Sequence, residues 1–134
     1  MDPSTNKKAL ALLLGLGFVC VFLLTPAGFE TRPIPSIHPL GFVVLAGIFT
    51  TVGLNLLGLV LMNRRPRIAA VVVSVGFFLV FTGITIDQVG LFSTFGPPTR
   101  ISVVEWAFVL IELGVLLLAA RLYRVSPRRT APTA

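Results

Sequence analysis

The sequence predicts an all-α membrane protein, an antiparallel bundle of four transmembrane helices, and three observations carry that prediction. Four apolar runs, residues 9–25, 40–62, 68–86 and 101–120, fill most of the 134 residues. Each meets or nearly meets the roughly 20 residues that take an α-helix across about 30 Å of hydrocarbon. The composition agrees: 55% hydrophobic residues, 12% charged residues and a mean hydropathy of +0.97 lie outside the range of soluble domains. The basic residues are also segregated. Lys7, Lys8, Arg64, Arg65, Arg67, Arg121, Arg124, Arg128 and Arg129 all fall on one side of a four-span arrangement, and only Arg32 and Arg100 on the other.

That segregation sets the expected orientation. By the positive-inside rule both termini lie in the cytoplasm of a multi-pass cell-membrane protein. The outer links carry Glu30, Arg32, Asp87 and Arg100, which cancel. The net charge of +6 and the pI near 11.2 therefore report sidedness rather than a nucleic-acid surface, and no nucleic-acid partner is expected. The whole chain, 1–134, is expected to form a single membrane domain.

The first run follows Lys7-Lys8 much as a signal h-region follows its n-region. Thr25-Pro26-Ala27-Gly28 lacks small residues at both cleavage-site positions, and Val19 before Cys20 does not suit a lipoprotein box, so the run is expected to remain as a span. Pro26 is expected to end it. Cys20 is the lone cysteine, which excludes an intrachain disulfide and a thiolate metal site. The proline-rich link from Pro26 to Pro39 reads as an extended cover at the membrane surface.

Pro39 opens the second run, where Gly47, Thr51, Asn55 and Gly58 share one face. The link from Asn63 to Arg67, broken by Pro66, is short enough to make the second and third spans antiparallel neighbours. In the third run Ala69, Gly76 and Gly83 recur at seven-residue spacing. Small faces of this kind let helices approach closely in lipid. The link from Asp87 to Arg100 sets Phe92 and Phe95 among Gly, Ser and Thr, which suits aromatic rings at headgroup level, with a short re-entrant or amphipathic helix as the alternative. Pro97-Pro98 keeps any such helix from running into the fourth span. A weak repeat aligns Gly17-Phe18 with Gly76-Phe77 and Leu57-Gly58 with Leu113-Gly114, as two like-oriented hairpins would.

Glu112 is the leading candidate for an intramembrane site. Eleven residues into its run, it lies about 16 Å below the outer boundary, near the midplane, where a carboxyl must face protein or water. One reading is a proton or cation site; the other is a carboxyl hydrogen-bonded across a helix interface. Glu105 lies on the same face, about 6 Å from the boundary, beside Trp106 and near Arg100, and is expected to be an interfacial residue in contact with water. Thr50, Thr51 and Ser74 lie near the depth of Glu112, and Asn55 about one turn deeper, so these four could complete a polar layer with it. Hydroxyls in helices also bond their own carbonyls. His38 reads as a solvated loop residue and Asp87 as an ordinary boundary charge.

The basic residues Arg64, Arg65, Arg67, Arg121 and Arg124 are expected to contact lipid headgroups. The chain lacks a phosphate loop, a metal-spaced cluster and a nucleophile with its base, so no cofactor, metal or catalytic residue is predicted and an enzyme is not expected. Length and span count resemble those of the small multidrug resistance transporters, whose central acid lies in the first helix; the first span here contains no acid. The leading functional expectation is a non-catalytic subunit or interaction partner of a membrane assembly, with other membrane subunits or copies of itself as partners besides the bilayer. The alternative is a small proton- or ion-coupled transporter or channel with Glu112 as its site.

Overall fold

The computed structural model describes residues 2–128, so Arg129 of the basic tail lies outside the described residues. Four helices follow one another: α1 (Pro3–Thr31), α2 (Pro39–Leu61), α3 (Pro66–Gln88) and α4 (Thr99–Val125), with a single 3-10 turn at Ile34–Ser36. All four are long and apolar enough to cross a membrane. Among the described residues there is no strand, only one isolated bridge between Ile37 and Ser93.

Proline sets three of the four starts. Pro3, Pro39 and Pro66 occupy first-turn positions of α1, α2 and α3, where the missing N–H has no intrahelical acceptor to lose. Pro66 thus begins α3 rather than merely interrupting a link. Pro98 caps α4 in extended backbone, and the loop before it does not continue into the helix.

Pro26 does not end the first helix. α1 runs on to Thr31 and closes with the Arg32 N–H donating to the Gly28 carbonyl at 2.9 Å. The ring forfeits one bond of the ladder, but unwinding the last turn would forfeit more, and helical geometry also places the Thr31 hydroxyl on the Ala27 carbonyl at 2.8 Å. The turn that Pro26 was expected to abolish carries Arg32 into the bundle.

The helices are arranged so that α3 lies between α2 and α4, and α4 between α3 and α1. α1 and α2, although consecutive, touch only slightly. The bundle is therefore closed on three sides and open along an α1/α2 seam. This argues against the hairpin repeat, since α3 and α4 form a packed hairpin and α1 and α2 do not.

Three buried clusters stack along the bundle. At the end bearing the tight α2–α3 turn, Leu10, Leu14, Met62, Val73, Val115 and Leu122 pack around Ala69, Ala70 and Ala119. In the middle Cys20, Val21, Val80, Ile84, Phe108 and Val109 meet. At the other end, here the loop end, Ile37, Val44 and Phe92 join the two longer connections to α2. Close approach between α2 and α3 depends on glycine: a Cβ on Gly58 would strike Val73, and one on Gly83 would lie 3.2 Å from Val44 Cγ1.

The loops differ from the expected extended cover and headgroup-level segment. They bond to each other through His38 N–H to Phe92 O and Thr94 N–H to Ser36 O, both at 2.9 Å, and through the Ser36 and Ser93 hydroxyls at 3.0 Å. No helix forms between Val89 and Pro98; instead Gly90, at φ +80°, turns the chain out of α3 while Gly90 and Leu91 N–H groups close on the carbonyls of Asp87 and Ile86. Phe92 is buried rather than spread at the headgroups, whereas Phe95 stays exposed. The reason is Gly41, at which any Cβ would collide with the Phe92 carbonyl and Ile37, so its bare backbone lets the loop lie on α2.

At the tight-turn end, Arg64, Arg65, Arg121 and Arg124 are exposed. Arg67 is only half-exposed. Its Nε donates to the Ser126 carbonyl at 2.9 Å and its guanidinium stands 4.9 Å from the Tyr123 ring centre, so it ties the start of α3 to the end of α4 instead of serving only headgroups.

Candidate functional site: two buried acids on one helix face

The inward face of α4 is written in its spacing: Ile101, Glu105, Phe108, Val109, Glu112, Val115, Ala119 and Leu122 are all buried. Seven residues is close to two turns, so both acids of the helix point into the bundle.

Glu112 is 0% exposed. Its partner is Asn55, whose Nδ2 donates to Glu112 Oε1 at 3.0 Å. These two residues come from α2 and α4, helices that are not neighbours, so the bond spans the bundle diagonal. The other two helices make room for it with glycine. A Cβ on Gly17 of α1 would lie 3.1 Å from Glu112 Oε1, and a Cβ on Gly76 of α3 would lie 3.0 Å from Thr51 Cγ2 and 3.2 Å from Asn55 Oδ1. All four helices thus shape one polar lock. Asn55 Oδ1 and Glu112 Oε2 have no partner in it.

The remaining members of the expected polar layer stand aside. Thr50 is exposed on the outside of α2 and donates to the Ala46 carbonyl at 2.7 Å. Ser74 donates to the Ala70 carbonyl at 2.7 Å. Thr51 is buried, bonded to the Gly47 carbonyl at 3.0 Å with the Gly76 carbonyl at 3.4 Å. Each hydroxyl is satisfied by backbone, which leaves Asn55 alone to meet Glu112.

Glu105 is not an interfacial residue in contact with water. It is 5% exposed and belongs to a charged cluster at the loop end. Gln88 Nε2 donates to Glu105 Oε2 and also to the Ser102 hydroxyl, the latter at 3.1 Å. The Asp87 carboxyl abuts Glu105 and forms a buried ion pair with Arg32. The Arg32 guanidinium also stands over the Phe92 ring, 4.8 Å from its centre. Asp87 is therefore far from an ordinary boundary charge. Neither Arg32 nor Asp87 stands out in the sequence; the available signal is that the links on this side cancel in charge, as paired residues would.

A groove follows the open seam. Val21, Leu24 and Phe29 of α1 face Val44, Ile48 and Phe49 of α2, and the groove reaches Arg32, Asp87 and Glu105 at the loop end. It does not reach Glu112. Among the described residues no three His, Cys, Asp or Glu side chains are grouped to hold a metal ion. His38 is exposed in the loop before α2. No protein-family model matches this chain, and neither a curated protein nor a solved structure is similar to it.

Proposed function

We propose that the chain is an integral membrane protein with both termini in the cytoplasm, and that it acts as a non-catalytic component of a membrane assembly. The exposed flank of α2 carries the assembly reading. Ala46, Thr50 and Gly53 lie on one face at i, i+4 and i+7, all exposed, and a Cβ on Gly53 would meet nothing within 4 Å. Small residues facing outward let a second helix approach closely, as the buried glycines of α2 and α3 do inside the chain. The small faces of α3 are consumed internally; this one is not.

The polar groups agree with this reading. Glu112 is enclosed by four helices and bonded across their diagonal, which is the arrangement of a helix lock. A photoreactive side chain at Thr50 is expected to give a protein adduct in native membranes, whereas one at Phe78, equally outward on α3, is expected to give lipid adducts only. Gly53→Leu should remove the protein adduct. Lipid adducts alone at Thr50 would sink the assembly reading. The orientation is checked separately: single cysteines at Ser4 and Asn63 in a Cys20→Ser background should resist an impermeant thiol reagent until the cells are lysed.

The free Glu112 Oε2 favours the second reading, a small proton- or ion-coupled transporter or channel. Flux in reconstituted vesicles that Glu112→Gln abolishes with the fold intact would put this reading first.

A further inference from the structure

We propose that the groove between α1 and α2 binds one acyl chain of a bilayer glycerolipid, with the chain's ester carbonyl accepting a hydrogen bond from Arg32 Nε. The inference rests on the membrane reading of the helices and is independent of the assembly reading, which concerns a different face of α2.

Three observations point to this occupant. The first is an orphaned donor. Arg32 is 4% exposed and lines the loop end of the groove, and its buried Nε has no hydrogen-bond partner. A buried N–H without an acceptor is costly, so the site asks for one. The second is charge. The guanidinium is already paired with Asp87, and Glu105 lies at the same end, so an anionic group entering there would meet two carboxyls. An uncharged carbonyl satisfies the donor without adding charge.

The third is shape. The walls Val21, Leu24, Phe29, Val44, Ile48 and Phe49 are hydrocarbon and line a narrow seam between two helices that still touch. Such a seam suits a slender chain, whereas a helix is about 10–12 Å across with its side chains. From Arg32 to Val21 along α1 the groove extends about 16 Å, close to half of the roughly 30 Å hydrocarbon thickness and so to one leaflet. Asp87 lies in the last turn of α3, which places the ion pair at the hydrocarbon boundary, the level of lipid ester carbonyls, with the groove descending from it toward the midplane.

The test uses the full chain in phosphatidylcholine nanodiscs containing a small fraction of phosphatidylcholine with a diazirine on one acyl chain. Adduct sites are mapped by peptide mass spectrometry, and helicity and nanodisc incorporation are verified first, so that failure to insert is seen separately from failure to bind. Adducts at Leu24, Ile48 or Phe49 should exceed those at the outward-facing Leu110 at least several-fold. Ile48→Trp, which fills the groove, should remove the excess, and Arg32→Lys, which keeps the charge beside Asp87 but removes the Nε donor, should reduce it several-fold. An ether-linked competitor, lacking the carbonyl, should displace the probe several-fold less well than the ester lipid. Labelling of the groove no greater than at Leu110, or equal competition by the ether lipid, would overturn the proposal.

Discussion

Glu105 and Glu112 sit on the same face of the same helix, two turns apart, and both are buried, yet they have become different kinds of site. Glu112 is met by one neutral amide, from the helix diagonally opposite, through a space cleared by Gly17 and Gly76. Glu105 is met by Gln88, Ser102, Asp87 and, through Asp87, Arg32. The difference follows from where each turn of α4 falls. In the middle of the bundle only side chains on helix faces can reach inward, and every charged one must bring its own partner. At the loop end the last turns of α1 and α3 deliver long side chains into the same space, so charge can be paired with charge. A buried acid is thus read from what its neighbours can bring, more than from its own depth.

The largest effect should come from breaking the charged site. Arg32→Ala leaves Asp87 buried and unpaired beside Glu105, and is expected to cost about 3–5 kcal/mol, measured by unfolding in detergent micelles. Replacing both members, Arg32→Leu with Asp87→Leu, should recover much of that loss. A single variant as stable as the wild type would mean that the cluster is not a paired buried charge.

The Asn55–Glu112 site should be weaker and should discriminate by hydrogen bonding rather than by charge. Glu112→Leu strands the Asn55 amide and is expected to cost about 1–2 kcal/mol, whereas Glu112→Gln, which can still accept from Asn55 and can donate in return, should lose less than about 0.5 kcal/mol. If the two substitutions cost the same, Asn55 is not what holds Glu112, and the contrast between the two acids narrows to burial alone.

The smallest effect sharpens the account of how the lock is accommodated. Gly17→Ala forces Glu112 Oε1 or Phe108 to give by a few tenths of an ångström and should cost up to about 1 kcal/mol, while Gly15→Ala, two residues away with nothing within 4 Å, should be neutral or stabilising by a similar amount. Equal effects at both positions would show that the helix backbone rather than the Glu112 pocket responds.

The sequence by itself determined four helices, because runs of this length and hydropathy have no other way to satisfy their backbone in an apolar medium. It also determined the antiparallel pairing of α2 with α3, since the link from Met62 to Arg65 has no length to do anything else, and it marked Glu112 as a residue to face protein or water, the bundle or a partner, without choosing between them. The seven-residue spacing of Ala69, Gly76 and Gly83 likewise announced a packing face. What the tertiary structure decided was who meets whom. The links on the loop side are long enough to allow several neighbour orders, and the apolar faces of the helices are too alike to choose among them locally. Only the assembled bundle leaves α1 apart from α2, sends α1 past Pro26 so that Arg32 reaches Asp87, folds Phe92 onto Gly41, and selects Asn55 over Thr50, Thr51 and Ser74 as the partner of Glu112. Each is a contact between residues far apart in the chain, and its free energy depends on shapes that exist only once the other helices are in place.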